Sequence, residues 1–241
     1  MPLKDTTLYG IGIGPGDPEL ITVKALNTIK KVKTIFAPSS PKNSYSLALD
    51  IISPYIQDDT EVHKLMFPMT KQKEQLEKSW ERNAQTIIEY LKKGINCAFI
   101  TLGDPLTYST FGYTSRRIRE ICPEVKIEII PGITSYHASA AASGIVLAEA
   151  EESLAIISGV MGAKKLRSII NHVDNVVVLK VYKSFKEIAE TIDELGLEQK
   201  SVLVSRCGLK GERIVKGISK CKNRDMEYLS LIIINKNREG T

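Results

Sequence analysis

The chain contains no apolar run of the roughly 18 residues that a membrane-spanning helix requires, so no membrane partner is expected. Met1 to Asp5 shows no basic stretch leading into an apolar one, the pattern of a secretory leader, and the expected location is cytoplasmic. Cysteine and histidine are scarce. Cys97, Cys122, Cys207 and Cys221 form no C-x-x-C pair, and His63, His137 and His172 are scattered. Zinc sites need clustered ligands at short spacings. No protein-bound metal is expected, and the cysteines read as reduced, mostly buried small hydrophobes. Nucleotide signatures are missing too. Counted from Gly10, the sixth residue of a G-x-G-x-x-G pattern is Pro15; counted from Gly12, it is Asp17; and no G-K-S/T occurs. Basic residues are dispersed, with no strip of interleaved aromatic and basic side chains, which argues against nucleic acid. The net charge of +5 favours an anionic partner but does not choose between RNA, a membrane surface and a small polyanion, and on charge alone ordinary solubilising surface charge is the better reading.

What is present is a core-forming sequence, 43% hydrophobic, which argues against disorder. Apolar runs alternate with helical patterns. Strands are expected at Thr6–Ile13, Val32–Phe36, Val62–Met66, Asn96–Thr101 and Val125–Ile130. Between them, helices are expected after Asp17, over Ser44–Ser53, over Lys71–Lys93 and over Tyr108–Ile121. Strand-helix-strand repetition implies parallel pairing. The second half differs. A small-residue helix over Ser135–Ser143 precedes strands near Leu154–Ser158, Val176–Val181, Ser201–Arg206, Arg213–Gly217 and Tyr228–Ile234. A helix opened by a Ser184/Glu187 capping box lies among them. Late strands without long helices between them imply partly antiparallel pairing. The expected fold is α/β with two lobes, residues 1–131 mostly parallel and residues 132–241 mixed.

Three turns follow strands. Gly10 to Asp17 (GIGIGPGD) is a glycine-rich turn that lets backbone approach something closely, and Asp17 disfavours a phosphate there. Leu102 to Thr110 (LGDPLTYST) lies at the carboxyl end of a buried strand, where open parallel sheets bind ligands; Asp104 with Pro105 also reads as a helix start. Ile130 to Ser135 (IPGITS) offers hydroxyls and amides at a helix N-terminus. Each turn alone admits a purely structural explanation.

Their order and position resemble the tetrapyrrole methylase family, the class III S-adenosylmethionine methyltransferases, over essentially the whole chain. GDPLTYST, Phe67-Pro68-Met69, Trp80, Ser135-Tyr136 and Leu179-Lys180-Val181 resemble the subgroup that methylates precorrin-2 or cobalt-factor II at C(20). The resemblance implies an S-adenosylmethionine cofactor in a cleft between the lobes. Contacts are implied from Pro15, Gly103, Asp104, Thr107, Thr134 and Ser135, and from Lys180, Cys207 and Leu231. It also implies an anionic tetrapyrrole acceptor, with cobalt only as part of that substrate, and a homodimer. Lys64, Arg82 and Arg116 are candidates to pair with the acceptor's carboxylates, and Tyr108, Asp104 and His137 to act as a base. Competing readings keep the fold with another acceptor (another corrin precursor, uroporphyrinogen III or rRNA), or make the protein a non-catalytic tetrapyrrole binder.

Overall fold

A computed structural model describes residues 5–39, 46–70, 72–221 and 226–237. The chain divides into two compact units, residues 1–134 and 135–241.

The first unit is built on five parallel strands: β1 (Thr7–Gly12), β2 (Thr34–Ser39), β3 (Glu61–Met66), β4 (Cys97–Thr101) and β5 (Lys126–Ile130), in the order β3-β2-β4-β1-β5. Its helices are α1 (Val23–Ile29), α2 (Leu47–Ile52), α3 (Lys73–Lys92) and α4 (Phe111–Ile121). Successive strand residues point to opposite faces, and both faces are apolar. Leu8, Phe36 and Phe99 pack with Ala84, Ile87 and Leu91 of α3 and Phe111 and Ile118 of α4. Ile11, Ile35 and Ile100 pack with Ala25 and Ile29 of α1 and Ile51 and Ile52 of α2. All five residues of β4 are buried, as a strand covered on both sides should be.

Two helix starts differ from expectation. Asp17 caps only a single turn of 3-10 helix, Pro18–Leu20, by accepting the Glu19 amide at 2.9 Å. The α-helix begins later at Val23, where Thr22 Oγ1 accepts the Ala25 amide at 3.2 Å. Asp104 and Pro105 start no helix. The chain first passes through Tyr108, whose φ of 52° is left-handed, and α4 opens at Phe111, whose amide donates to Ser109 Oγ at 3.1 Å. Ser44 and Lys71, named above as helix limits, lie outside the described residues.

The second unit contains α5 (Ser135–Ser143), β6 (Leu154–Ser158), α6 (Lys164–Ile169), β7 (Asn175–Leu179), α7 (Phe185–Glu194), β8 (Ser201–Ser205), β9 (Arg213–Lys216) and β10 (Ser230–Asn235). Its sheet runs β6-β7-β10-β8-β9. β6 and β7 are parallel; the β7–β10, β10–β8 and β8–β9 pairs are antiparallel, so the sheet is mixed as expected. One face packs on α6 and α7, the other on α5 through Tyr136 and Ala140. The Ser184/Glu187 capping box does not form. Ser184 Oγ donates to the Val160 carbonyl at 3.5 Å, and the Glu187 carboxylate accepts the Ala163 amide at 2.9 Å. Both side chains tie α7 to the segment before α6 instead. Among the described residues no helix is long and apolar enough to cross a membrane.

Candidate functional site

In the first unit the turns after β1, β4 and β5 leave neighbouring strands at the same sheet edge. β1 and β4 pair in parallel up to Gly12 and Thr101. Beyond that, Gly14 and Gly103 exchange hydrogen bonds as an isolated antiparallel bridge, Gly103 N–H to Gly14 O at 2.8 Å and Gly14 N–H to Gly103 O at 3.4 Å. The β5 turn closes on this bridge. A Cβ placed on Gly132 would lie 2.2 Å from Gly103 O and 2.7 Å from the Gly12 carbonyl carbon; one on Gly12 would lie 2.5 Å from Gly103 O. Only hydrogen fits at either position. The glycines therefore bring the three turns against one another, and the close approach expected of the first turn is to protein backbone.

Asp104 fastens the arrangement. Its Oδ2 accepts the Gly132 amide at 3.1 Å, and its Oδ1 accepts the Leu106 amide at 2.8 Å and the Thr107 hydroxyl at 3.4 Å. Buried Pro15 and Thr134 and half-buried Gly103 and Thr107 belong to the same three turns. Tyr108 holds its left-handed backbone with an exposed side chain. A non-glycine residue in that region is strained, and such strain gathers at functional turns.

The second unit gathers its candidates at one edge of its own sheet. β10 runs antiparallel between β7 and β8, so its start lies beside their ends. Leu231 pairs with Leu179 on one side and Val204 on the other. Lys180 follows β7 with a left-handed φ of 58°, and burial lowers the pKa of its ammonium group. Cys207 follows Arg206, itself at φ 53°; burial raises the Cys207 thiol pKa. Leu179, Leu231, Val204 and Cys207 pack with Tyr136 and Ala140 of α5, the helix that Ser135 opens.

The remaining candidates lie elsewhere. His137 is exposed on α5, its ring 4.5 Å from that of Tyr136. Lys64 lies within β3, Arg82 within α3 and Arg116 within α4; all three are exposed and none belongs to the three turns.

Residues 7–220 match the family described as Tetrapyrrole (Corrin/Porphyrin) Methylases. The chain belongs to this family. It is 38% identical to a probable cobalt-precorrin-2 C(20)-methyltransferase of Methanocaldococcus jannaschii, over 95% of this chain and 96% of that one. It is 34% identical to the cobalt-precorrin-2 C(20)-methyltransferase of Salmonella typhimurium, over 96% and 97%. A uroporphyrin-III C-methyltransferase of Thermus thermophilus, solved as a complex with S-adenyl homocysteine, shares the fold with a TM-score of 0.68 at 21% identity, over 95% and 92% of the two chains. The resemblance read from the three turns is thus borne out at the level of the family.

Two features of this tetrapyrrole methylase escaped the sequence reading. Ser79 and Asn83 are buried polar residues on α3, one helical turn apart on its apolar face, and that spacing was the available signal. Trp80 and Tyr113 stack at 4.6 Å with planes 6° apart, joining α3 to α4, a pairing that the sequence around Trp80 does not indicate.

Proposed function

We propose that the chain transfers a methyl group from S-adenosylmethionine to C(20) of precorrin-2 or cobalt-factor II in cobalamin biosynthesis. End-to-end likeness to two C(20)-methyltransferases carries this reading. The acceptor is a small anionic tetrapyrrole, and any cobalt arrives as part of it. A homodimer belongs to the same reading.

The first unit's turns suit such a donor. Gly12 to Pro15, Gly103 to Thr107 and Pro131 to Thr134 contain one carboxylate, Asp104, and no lysine or arginine. A neutral-to-anionic lining favours a sulfonium cation and disfavours a pyrophosphate. When bound, S-adenosylmethionine supplies an electrophilic methyl group on sulfur. The residues proposed to hold it are Pro15, Gly103, Asp104, Thr107, Thr134, Ser135, Lys180, Cys207 and Leu231.

The protein's own work is then alignment and exclusion of water. The packing of Gly12, Gly103 and Gly132 leaves the turns no room to shift. Asp104 orients the turn after β5 by holding the Gly132 amide. A base is needed only to take the proton that leaves the acceptor carbon after transfer. Asp104 is poorly suited, because its two carboxylate oxygens are already engaged by three protein donors. Tyr108 and His137 remain as candidates.

Incubation with methyl-labelled S-adenosylmethionine and each acceptor in turn tests the reading. Label at the C(20) meso carbon is expected with at least one of them. No labelled product with either would overturn it, as would tetrapyrrole binding without turnover.

A further inference from the structure

Phe67-Pro68-Met69 follows β3, so it leaves the parallel sheet at the same edge as the three turns. The backbone that leads into it is clamped from Leu65 to Phe67. Ser79 and Asn83 are only 5% and 3% exposed, on a helix face otherwise filled by aliphatic side chains. A buried hydroxyl or amide is costly unless it is hydrogen-bonded. Both donate to one acceptor, the Met66 carbonyl, at 2.8 Å and 2.9 Å. Together they occupy both of its lone pairs. Ser39, the last residue of β2, adds two more bonds: its hydroxyl donates to the Leu65 carbonyl at 3.2 Å, and its carbonyl accepts the Phe67 amide at 2.8 Å. Phe67 is buried edge-on to Phe99, ring centroids 6.1 Å apart. With Phe67 anchored inside, Met66 and Met69 remain 38% and 53% exposed.

Two exposed methionines, one within and one just after a hydrogen-bonded stretch of backbone, are an unusual use of an adaptable side chain. A thioether fits irregular apolar surfaces and aromatic edges, while the clamp keeps the backbone from adapting. We infer that Met66 to Met69 forms one wall of the acceptor site, with Met66 and Met69 against the apolar face of the macrocycle. Ser79 and Asn83 act as positioning residues that fix this wall. The inference rests on the tetrapyrrole acceptor proposed above and adds the residues that recognise its ring rather than its carboxylates.

The test compares wild type, Met69→Ser and the double variant Ser79→Ala/Asn83→Ala in steady-state methyl transfer. S-adenosylmethionine affinity is measured by calorimetry, and folding by thermal melting. Both variants are expected to raise KM for the tetrapyrrole about tenfold, the worth of roughly one net hydrogen bond or one apolar contact. Donor affinity should not change. Met69 is exposed, so its variant folds whatever the double variant does. An unchanged KM in Met69→Ser beside an active wild type overturns the wall. Equal loss of donor and acceptor affinity in a folded double variant overturns the positioning role. A wild type inactive on both tetrapyrroles would instead bring down the parent reading, and this inference with it.

Discussion

The carboxylate of Asp104 accepts the backbone amide of Gly132 at 3.1 Å and thereby ties the turn after β4 to the turn after β5. Asp104→Ala removes this acceptor and the ones serving Leu106 and Thr107. The protein should stay folded but bind S-adenosylmethionine about tenfold more weakly, the effect of losing one part-buried charge-assisted bond. Titration calorimetry decides it, and an unchanged dissociation constant would count against the role given to the turn.

Glycine substitutions should separate close packing from propensity. In Gly132→Ala the added methyl meets Gly103 O at 2.2 Å, and backbone has little freedom to yield. A loss of about 3 kcal/mol or more is expected in urea unfolding. Gly112, within α4, has nothing within 4 Å of its added Cβ. Gly112→Ala should be neutral or stabilising by up to about 1 kcal/mol. Similar midpoints for the two variants would refute the packing account.

Neighbouring arginines on α4 should part company. Arg117 pairs with Glu81 at 2.7 Å and Glu120 at 2.8 Å, partly exposed. Arg117→Ala should cost at most about 1 kcal/mol of stability and leave KM for the tetrapyrrole alone. Arg116→Ala, and Arg82→Ala on α3, should raise that KM without altering the melting temperature. Kinetics in which Arg117→Ala has the larger effect on KM would reverse the assignment.

Alkaline stability should report on Cys97. Burial, with a smaller contribution from Glu61, pushes its thiol up to about 12. An unburied thiol ionises near ~8.5. Above that value the unfolded chain loses a proton that the folded chain keeps, so stability falls with rising pH, by about 1.4 kcal/mol per pH unit for this thiol. Below it the thiol contributes no slope. Urea midpoints followed upward from about pH 8.5 should decline less steeply in Cys97→Ala than in wild type; parallel declines would exclude the thiol.

Much of this was legible in the sequence because it is local or periodic. The buried run before Gly103 reads as a central strand, and the Ser135–Ser143 helix has the limits its composition indicates. Two capping readings failed where remote partners and backbone turns intervene. Asp104 does accept the nearby Leu106 amide, but its other oxygen holds the remote Gly132 amide and the chain turns left-handed at Tyr108 before α4 opens; the Ser184 hydroxyl and Glu187 carboxylate are taken by the remote Val160 carbonyl and Ala163 amide. No window of sequence contains both partners. The order of the three turns was visible, whereas their contact depends on strand order in space. Ser79 and Asn83 went unread because a polar residue on an apolar helix face acquires meaning only once its acceptor is located.

The contact among Gly12, Gly103 and Gly132 also bears on how such a protein can change over time. Three segments distant in the chain meet where no side chain can enter, so none of them can be lengthened, shortened or decorated independently of the others. The exposed side chains of Leu106, Met66 and Met69 carry no such constraint. Variation can accumulate at those outward positions while the inner contact stays fixed, which allows one scaffold to try new acceptors without rebuilding the place where its turns meet.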